Sequence, residues 1–188
     1  MSSAAPDEDL IKRIARGDSL AMKSFYARHH VRLFRFLVRI TRREATAEEL
    51  MNEVFLEIWR KAGGYEGRSA VTTWMLSIAH HKAVSSLRKR SEDALDDEDS
   101  GSDMADEDDD PEVALQKQNK SKVMRACMEM LSAEHRTILD LVYYHDKSVA
   151  EASEVLGIPE NTVKTRMFYA RKRLAELMRE AGLDRGWP

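Results

Sequence analysis

Cysteine is nearly absent from this chain of 188 residues: Cys127 stands alone, which excludes an internal disulfide and suits a reducing compartment. Only eight glycines and four prolines interrupt it, and no run of alternating β-branched residues supports a large sheet. No apolar run reaches the roughly 18 residues that cross a bilayer, so membrane insertion is not expected. The opening MSSAAPDEDL is acidic and has no apolar core, so it does not read as a signal peptide, and a cytoplasmic location is expected. His29-His30 and His80-His81 are adjacent pairs, whose side chains diverge by about 100° on a helix. No Cys/His/carboxylate cluster of ligand spacing accompanies them, so neither a metal nor a cofactor is expected. A phosphate-cradling glycine loop and a nucleophile–base pair in recognisable context are also missing, so no enzyme activity is expected.

What is present is apolar residues at helical spacing and an uneven charge. The chain is 43% hydrophobic and 34% charged, with a net charge of −3. Met1–Glu92 carries 17 Lys/Arg against 11 Asp/Glu, and Leu115–Pro188 carries 13 against 10. Between them Asp93–Ala114 holds 12 Asp/Glu and no Lys/Arg. Such a block is self-repelling and poor in apolar residues, and it reads as a disordered linker. It also mimics the charge of phosphates and could compete with nucleic acid. The fold class expected is all-α, with two small helical domains joined by an acidic linker. The boundaries are a flexible N-terminus at 1–9, a domain at 10–92, a linker at 93–117, a domain at 118–182 and a tail at 183–188.

Helical spacing begins at Leu10, Ile11 and Ile14 and breaks at Gly17-Asp18. A long helix is predicted from Ser19 to about Ile40, apolar on more than one face through Phe25, Val31, Leu33, Phe34, Phe36, Leu37 and Ile40. Arg28, Arg32, Arg35 and Arg39 form either a solvated stripe or a nucleic-acid contact. Thr46 and Glu49 have the S/T-x-x-E spacing of a capping box, which predicts a helix from Ala47 to about Ala62. Leu50, Val54 and Ile58 line one face of it, with Met51, Phe55 and Trp59 beside them. Glu49, Glu53 and Glu57 lie opposite, either as a solvated face or as a docking surface for a basic partner.

GGYEGRSAVTTW then reads as an ordered loop capped into a helix at about Val71–Arg90, with Trp74, Ile78 and Leu87 for its core. An aromatic beside a basic helix suits single-stranded nucleic acid, since bases stack on rings while cations follow the backbone. A packed loop tyrosine beside a solvated helix end is the alternative. Further on, a helix at Leu115–Leu131 carries Val123, Cys127 and Met130. Ser132 is expected to cap the next, whose core stripe is Ile138, Leu139, Val142 and Tyr143.

The most informative stretch is Ser148–Leu174. Ser148 and Glu151 form a second capping box, Gly157 suits a left-handed helix stop, and Pro159 suits the first turn of a new helix. Val163, Met167, Ala170 and Leu174 fall on one face of that helix. Asn161, Thr162, Lys164, Thr165, Arg166, Phe168, Tyr169 and Arg171 are left on the others. An apolar seam backing a polar, cationic face is what a helix-turn-helix presents to a major groove.

Taken in order, these segments resemble the sigma-70 family of bacterial transcription initiation factors, specifically its extracytoplasmic-function group. AEELMNEVFLEIW is similar to region 2.2, YEGRSAVTTWMLSIAHHKAVSSLRKR to regions 2.3 and 2.4, and LSAEHRTILDLVYYHDKSVAEASEVLGIPENTVKTRMFYARKRL to region 4. The resemblance implies partners: core RNA polymerase (its β′ clamp helices and β-flap), promoter DNA and an anti-sigma factor. It implies that Glu49, Asn52, Glu53 and Phe55 contact polymerase. Tyr65, with Arg68, Ser69 and Ala70 around it, would capture a minus-10 base near His81, while Lys82, Arg88 and Lys89 steady the strand. Asn161, Thr162, Lys164, Thr165, Arg166 and Arg171 would face the minus-35 duplex. The chain departs from the family pattern at His81, often Asn, at Asn161, usually Gly, at Ser153, commonly Ala, and at Val71, often aromatic. A stand-alone helix-turn-helix regulator would have no use for the acidic helix face. A decoy that only sequesters an anti-sigma factor would have no use for the basic and aromatic residues of 65–90.

Overall fold

The computed structural model describes residues 5–93 and 122–182. The expected acidic linker, from residue 94 on, and the tail at 183–188 lie outside the described residues, as do residues 1–4. Among the described residues every regular element is a helix. They divide into two compact units, 5–93 with Ser153–Gly157, and 122–152 with 158–182, so the division falls inside one short helix.

In the first unit, α1 (Asp7–Ile14) begins with three acids, which favour the positive end of a helix dipole, and buries Leu10, Ile11 and Ile14. Gly17 takes a left-handed φ of 83°. Asp18 then caps α2 (Ser19–Thr41), accepting from the Leu20 and Ala21 amides at 2.9 and 3.0 Å. Those two bonds and the Arg13 guanidinium hold its carboxyl below the usual range, the Ala21 amide contributing most. α2 packs against α1, α3 (Glu44–Lys61) and α4 (Val71–Asp93), and α3 packs against α4. Its buried line is Ala21, Phe25, His29, Leu33, Phe36, Leu37 and Ile40. Val31 is 46% exposed and Phe34 half-buried, so α2 is apolar toward its neighbours rather than all round. Arg28 donates to the Ala5 carbonyl and pairs with Asp7, whose carboxylate also lies 2.9 Å from His29 Nε2. At Arg28 the basic stripe ties α2 to α1.

α3 starts three residues before the expected Ala47, without a Thr46–Glu49 box. The corner itself explains this. Arg42 takes a left-handed φ of 58°, and the Thr41 hydroxyl accepts from the Arg43 amide, so the chain turns within two residues. Glu44 then supplies the negative charge of the first turn. A 3-10 turn at Ala62–Gly64 ends α3. The core face of α4 is Val71, Met75, Leu76, Ala79 and Ala83, whereas Trp74, Ile78 and Leu87 are only half-buried.

In the C-terminal half, α5 (122–129) buries Cys127, whose thiol is pushed up by that burial and by Glu180. Met130 is 66% exposed, and Leu131 points inward in its place. Ser132 caps α6 (Ala133–Tyr143), accepting from the His135 amide at 3.3 Å. Ile138, Leu139 and Leu141 form the buried stripe of α6, while Val142 is half-buried and Tyr143 is 37% exposed. The Ser148–Glu151 box opens α7 (Val149–Leu156): the Ser148 amide donates to Glu151 at 3.0 Å, and the Glu151 amide donates to the Ser148 hydroxyl at 3.2 Å. Ser148→Ala removes one reciprocal bond, and about 1 kcal/mol of destabilisation is expected in a thermal melt. Gly157 has a φ of 64°, where a Cβ would be strained. Pro159 stands just outside α8 (Glu160–Glu180) as its N-cap, one position earlier than expected. Val163, Met167, Ala170 and Leu174 are buried, with Leu177 and Met178 continuing the seam.

Candidate nucleic-acid interface

Three surfaces carry the candidate residues. On α3 the outward line is Glu49, Asn52 and Glu53, all exposed. Phe55 is not on it. It is 4% exposed, packed edge-on to Phe25 with centroids 6.2 Å apart and tilted on Tyr26 at 4.7 Å. The exposed apolar residues of α3 are Leu56 and Trp59, at 53% and 38%. Their signal was legible, since Leu56 follows Glu49, Asn52 and Glu53 at helical spacing.

Lys82 belongs to this surface as much as to α4. Its ammonium lies 3.0 Å from Glu53 and 3.1 Å from Glu57, and Lys61 closes on Glu57 at 2.7 Å. Burial depresses the Lys82 ammonium, yet the bonds and charges of both carboxylates outweigh it and leave it raised. Glu57 is held low, first by its bond to Lys61, against the opposing effect of burial, with Lys82 adding to the lowering. The pairing places the Lys82 ammonium between α3 and α4.

The second surface is the loop between the 3-10 turn and α4. The Tyr65 hydroxyl donates to the Ser69 carbonyl, and its ring tilts on Trp74 with centroids 5.1 Å apart. Burial, with the charge of Glu8, pushes its phenol up. Gly67 turns the loop at a φ of 70°, and Arg68 pairs with Glu66 beside it. Beyond the loop, His81, Arg88 and Lys89 are exposed on α4. His81 and Arg88 share one helical line; Lys82 and Lys89 share the next.

On α8, Asn161, Thr162, Lys164 and Thr165 are exposed, and Arg166 is half-buried. Asn161, Thr162, Thr165 and Arg166 line an open concavity of about 400 Å³ together with His135 of α6. Arg166 pairs with Glu134 at 3.1 Å. Arg171 stands apart from them: its guanidinium lies over the Tyr143 ring, 5.6 Å from the centroid. Phe168 and Tyr169, 64% and 54% exposed, pack edge-to-face on each other. Hydroxyls, an amide and cations opposite a buried seam can bond base edges and phosphates.

Residues 25–92 match the family described as Sigma-70 region 2, and residues 121–174 match Sigma-70, region 4. The chain belongs to the sigma-70 family. Its relatives place it in the extracytoplasmic-function (ECF) group. It is 31% identical over 170 residues to the ECF RNA polymerase sigma factor SigK of Mycobacterium ulcerans (strain Agy99), covering 88% of this chain and 89% of that protein. It is 29% identical over 175 residues to SigL of Mycobacterium tuberculosis, covering 91% and 96%. Among solved structures, the fold resembles the sigma factor RpoE of Bartonella quintana, crystallised with the anti-sigma factor NepR. That match has a TM-score of 0.70 and 23% identity, covering 87% of this chain and 98% of that one. CnrH, in complex with the cytosolic domain of CnrY, follows at 0.65 and 20% identity, covering 93% and 97%. Among the described residues of this sigma-70 chain, no helix is long and apolar enough to cross a membrane, and no cluster of His, Cys, Asp and Glu could hold a metal.

Proposed function

We propose that this ECF sigma factor divides polymerase docking and promoter recognition among its three surfaces. It joins core RNA polymerase and directs it to promoters, under the control of an anti-sigma factor. The region 2 domain spans 10–92 and the region 4 domain 118–182. The exposed line Glu49, Asn52 and Glu53 docks the β′ clamp helices, with Leu56 supplying apolar area at its C-terminal end. Region 4 also meets the β-flap. The Tyr65 loop, with Arg68 and Ser69, captures an unstacked minus-10 base, while His81, Arg88 and Lys89 follow the strand. Capture offsets an unstacking cost of a few kcal/mol, of the kind base-extruding proteins meet. Asn161, Thr162, Lys164, Thr165 and Arg166 read the minus-35 duplex. Arg171 supports α8 from Tyr143 instead of reading a base. No bond is made or broken by the chain itself, and it works in the cytoplasm.

The observation that carries this reading is α8, whose exposed amide, hydroxyls and cations stand opposite a continuous buried seam. Run-off transcription with core polymerase on genomic fragments tests it and returns the promoter. Lys164→Ala with Arg166→Ala is expected to lower minus-35 affinity and to reduce the slope of log affinity against log salt by about 1, the share of a phosphate no longer neutralised by Lys164. An unchanged slope would reject α8 as the reading helix.

A further inference from the structure

Beside the cations of α8 stands a carboxylate that a DNA-facing surface has reason to exclude. Glu134 is in the first turn of α6, where its charge suits the helix dipole, but it is held toward the concavity by its contact with Arg166. The two side chains differ in exposure: Glu134 is 68% exposed and Arg166 only 21%. The arginine is therefore the constrained partner, laid between α6 and α8, with the carboxylate outside it. One Nη is engaged at 3.1 Å, leaving the remaining donors of the fork for a base edge.

We infer that Glu134 is a positioning residue for base readout: it fixes the Arg166 fork at the rim of the concavity, beside His135, Asn161, Thr162 and Thr165. The inference rests on α8 being the minus-35 reader and goes beyond it in naming what sets its selectivity. Two effects act in the same direction. A guanidinium already held in place loses less conformational freedom on binding, which favours the correct sequence. The negative charge beside the phosphates weakens binding to any duplex, and so lowers the background. The base such a fork selects is guanine, through O6 and N7.

The test uses holoenzyme assembled from the full chain and core polymerase. Its probes are the promoter duplex, a scrambled minus-35 duplex, and duplexes with 7-deazaguanine, which lacks the N7 acceptor, at each minus-35 guanine in turn. The unsubstituted protein is expected to lose about tenfold in affinity at one guanine. Glu134→Gln should abolish that sensitivity while binding the scrambled duplex as well or better. Arg166→Lys, which keeps the charge and loses the fork, should do the same, and the double variant should add nothing further. If Glu134→Gln changes all duplexes by one common factor, the pair is an ordinary surface ion pair and the inference fails. If Arg166→Lys leaves every guanine sensitivity intact, Arg166 reads no guanine, and the inference falls together with that part of the α8 reading. Thermal melts of both variants should match the unsubstituted protein, since neither position lies in the core.

Discussion

Glu49→Lys is expected to abolish capture of core RNA polymerase at moderate salt while leaving the helical signal and the melting temperature unchanged. Glu49 is exposed on the outer line of α3, and no part of the buried seam of that helix depends on it. Reversing the charge at a docking face replaces an attraction with a repulsion, and removing one close charge pair from an interface commonly lowers affinity by about 100-fold. Glu53 is the less informative position. A lysine there would put one ammonium beside that of Lys82, which now lies 3.0 Å from the carboxylate, so packing and docking would change together. Immobilised core polymerase and a salt titration of the captured chain provide the measurement. An unchanged dissociation constant would remove the acidic line from the docking surface.

Phe55→Ala is expected to fail for a different reason. Its ring is buried against Phe25 and Tyr26, where α2 and α3 meet. Removing a buried phenylalanine costs about 3–5 kcal/mol. For a unit of this size each kcal/mol moves the melting point by about 4–8 °C, so a fall of more than about 12 °C is expected by calorimetry or circular dichroism. Polymerase capture should disappear with the fold and return on cooling. A melting point within about 3 °C of the unsubstituted protein, with capture abolished, would restore Phe55 as a direct contact.

The contrast between Glu49 and Phe55 shows how far the sequence could be read. Local rules did well. The Ser148–Glu151 box, the Gly157 stop, the Ser132 cap and the seam from Val163 to Leu174 depend on residues three or four apart, and all formed. α2 ran one residue longer than its apolar spacing indicated. What the spacing could not supply was partners distant in the chain. Lys82 reads as a strand contact, and its pairing with Glu53 and Glu57 comes from another helix. Arg171 reads as a groove contact, and the Tyr143 ring beneath it comes from α6. On α4 the large residues Trp74, Ile78 and Leu87 suggest the core face, but the helix is rotated so that Val71, Met75, Leu76, Ala79 and Ala83 are the buried positions. The Thr46 box failed because the corner at Thr41–Arg43 had already started the helix at Glu44.

The opposed faces of α8 bear on how such a protein diversifies. Exposed helix positions away from special contacts usually change stability by no more than about 0.5 kcal/mol, so Asn161, Thr162, Lys164 and Thr165 can be exchanged while Val163, Met167, Ala170 and Leu174 keep the helix seated. On the α8 reading proposed above, a duplicated copy acquires a new set of target genes by drift on one face while the other keeps the fold. Position 166 is the exception, because its side chain is shared with Glu134 on another helix. Rewriting it calls for two coordinated changes, which makes 134 and 166 the natural pair to randomise together when building regulators that ignore one another's promoters.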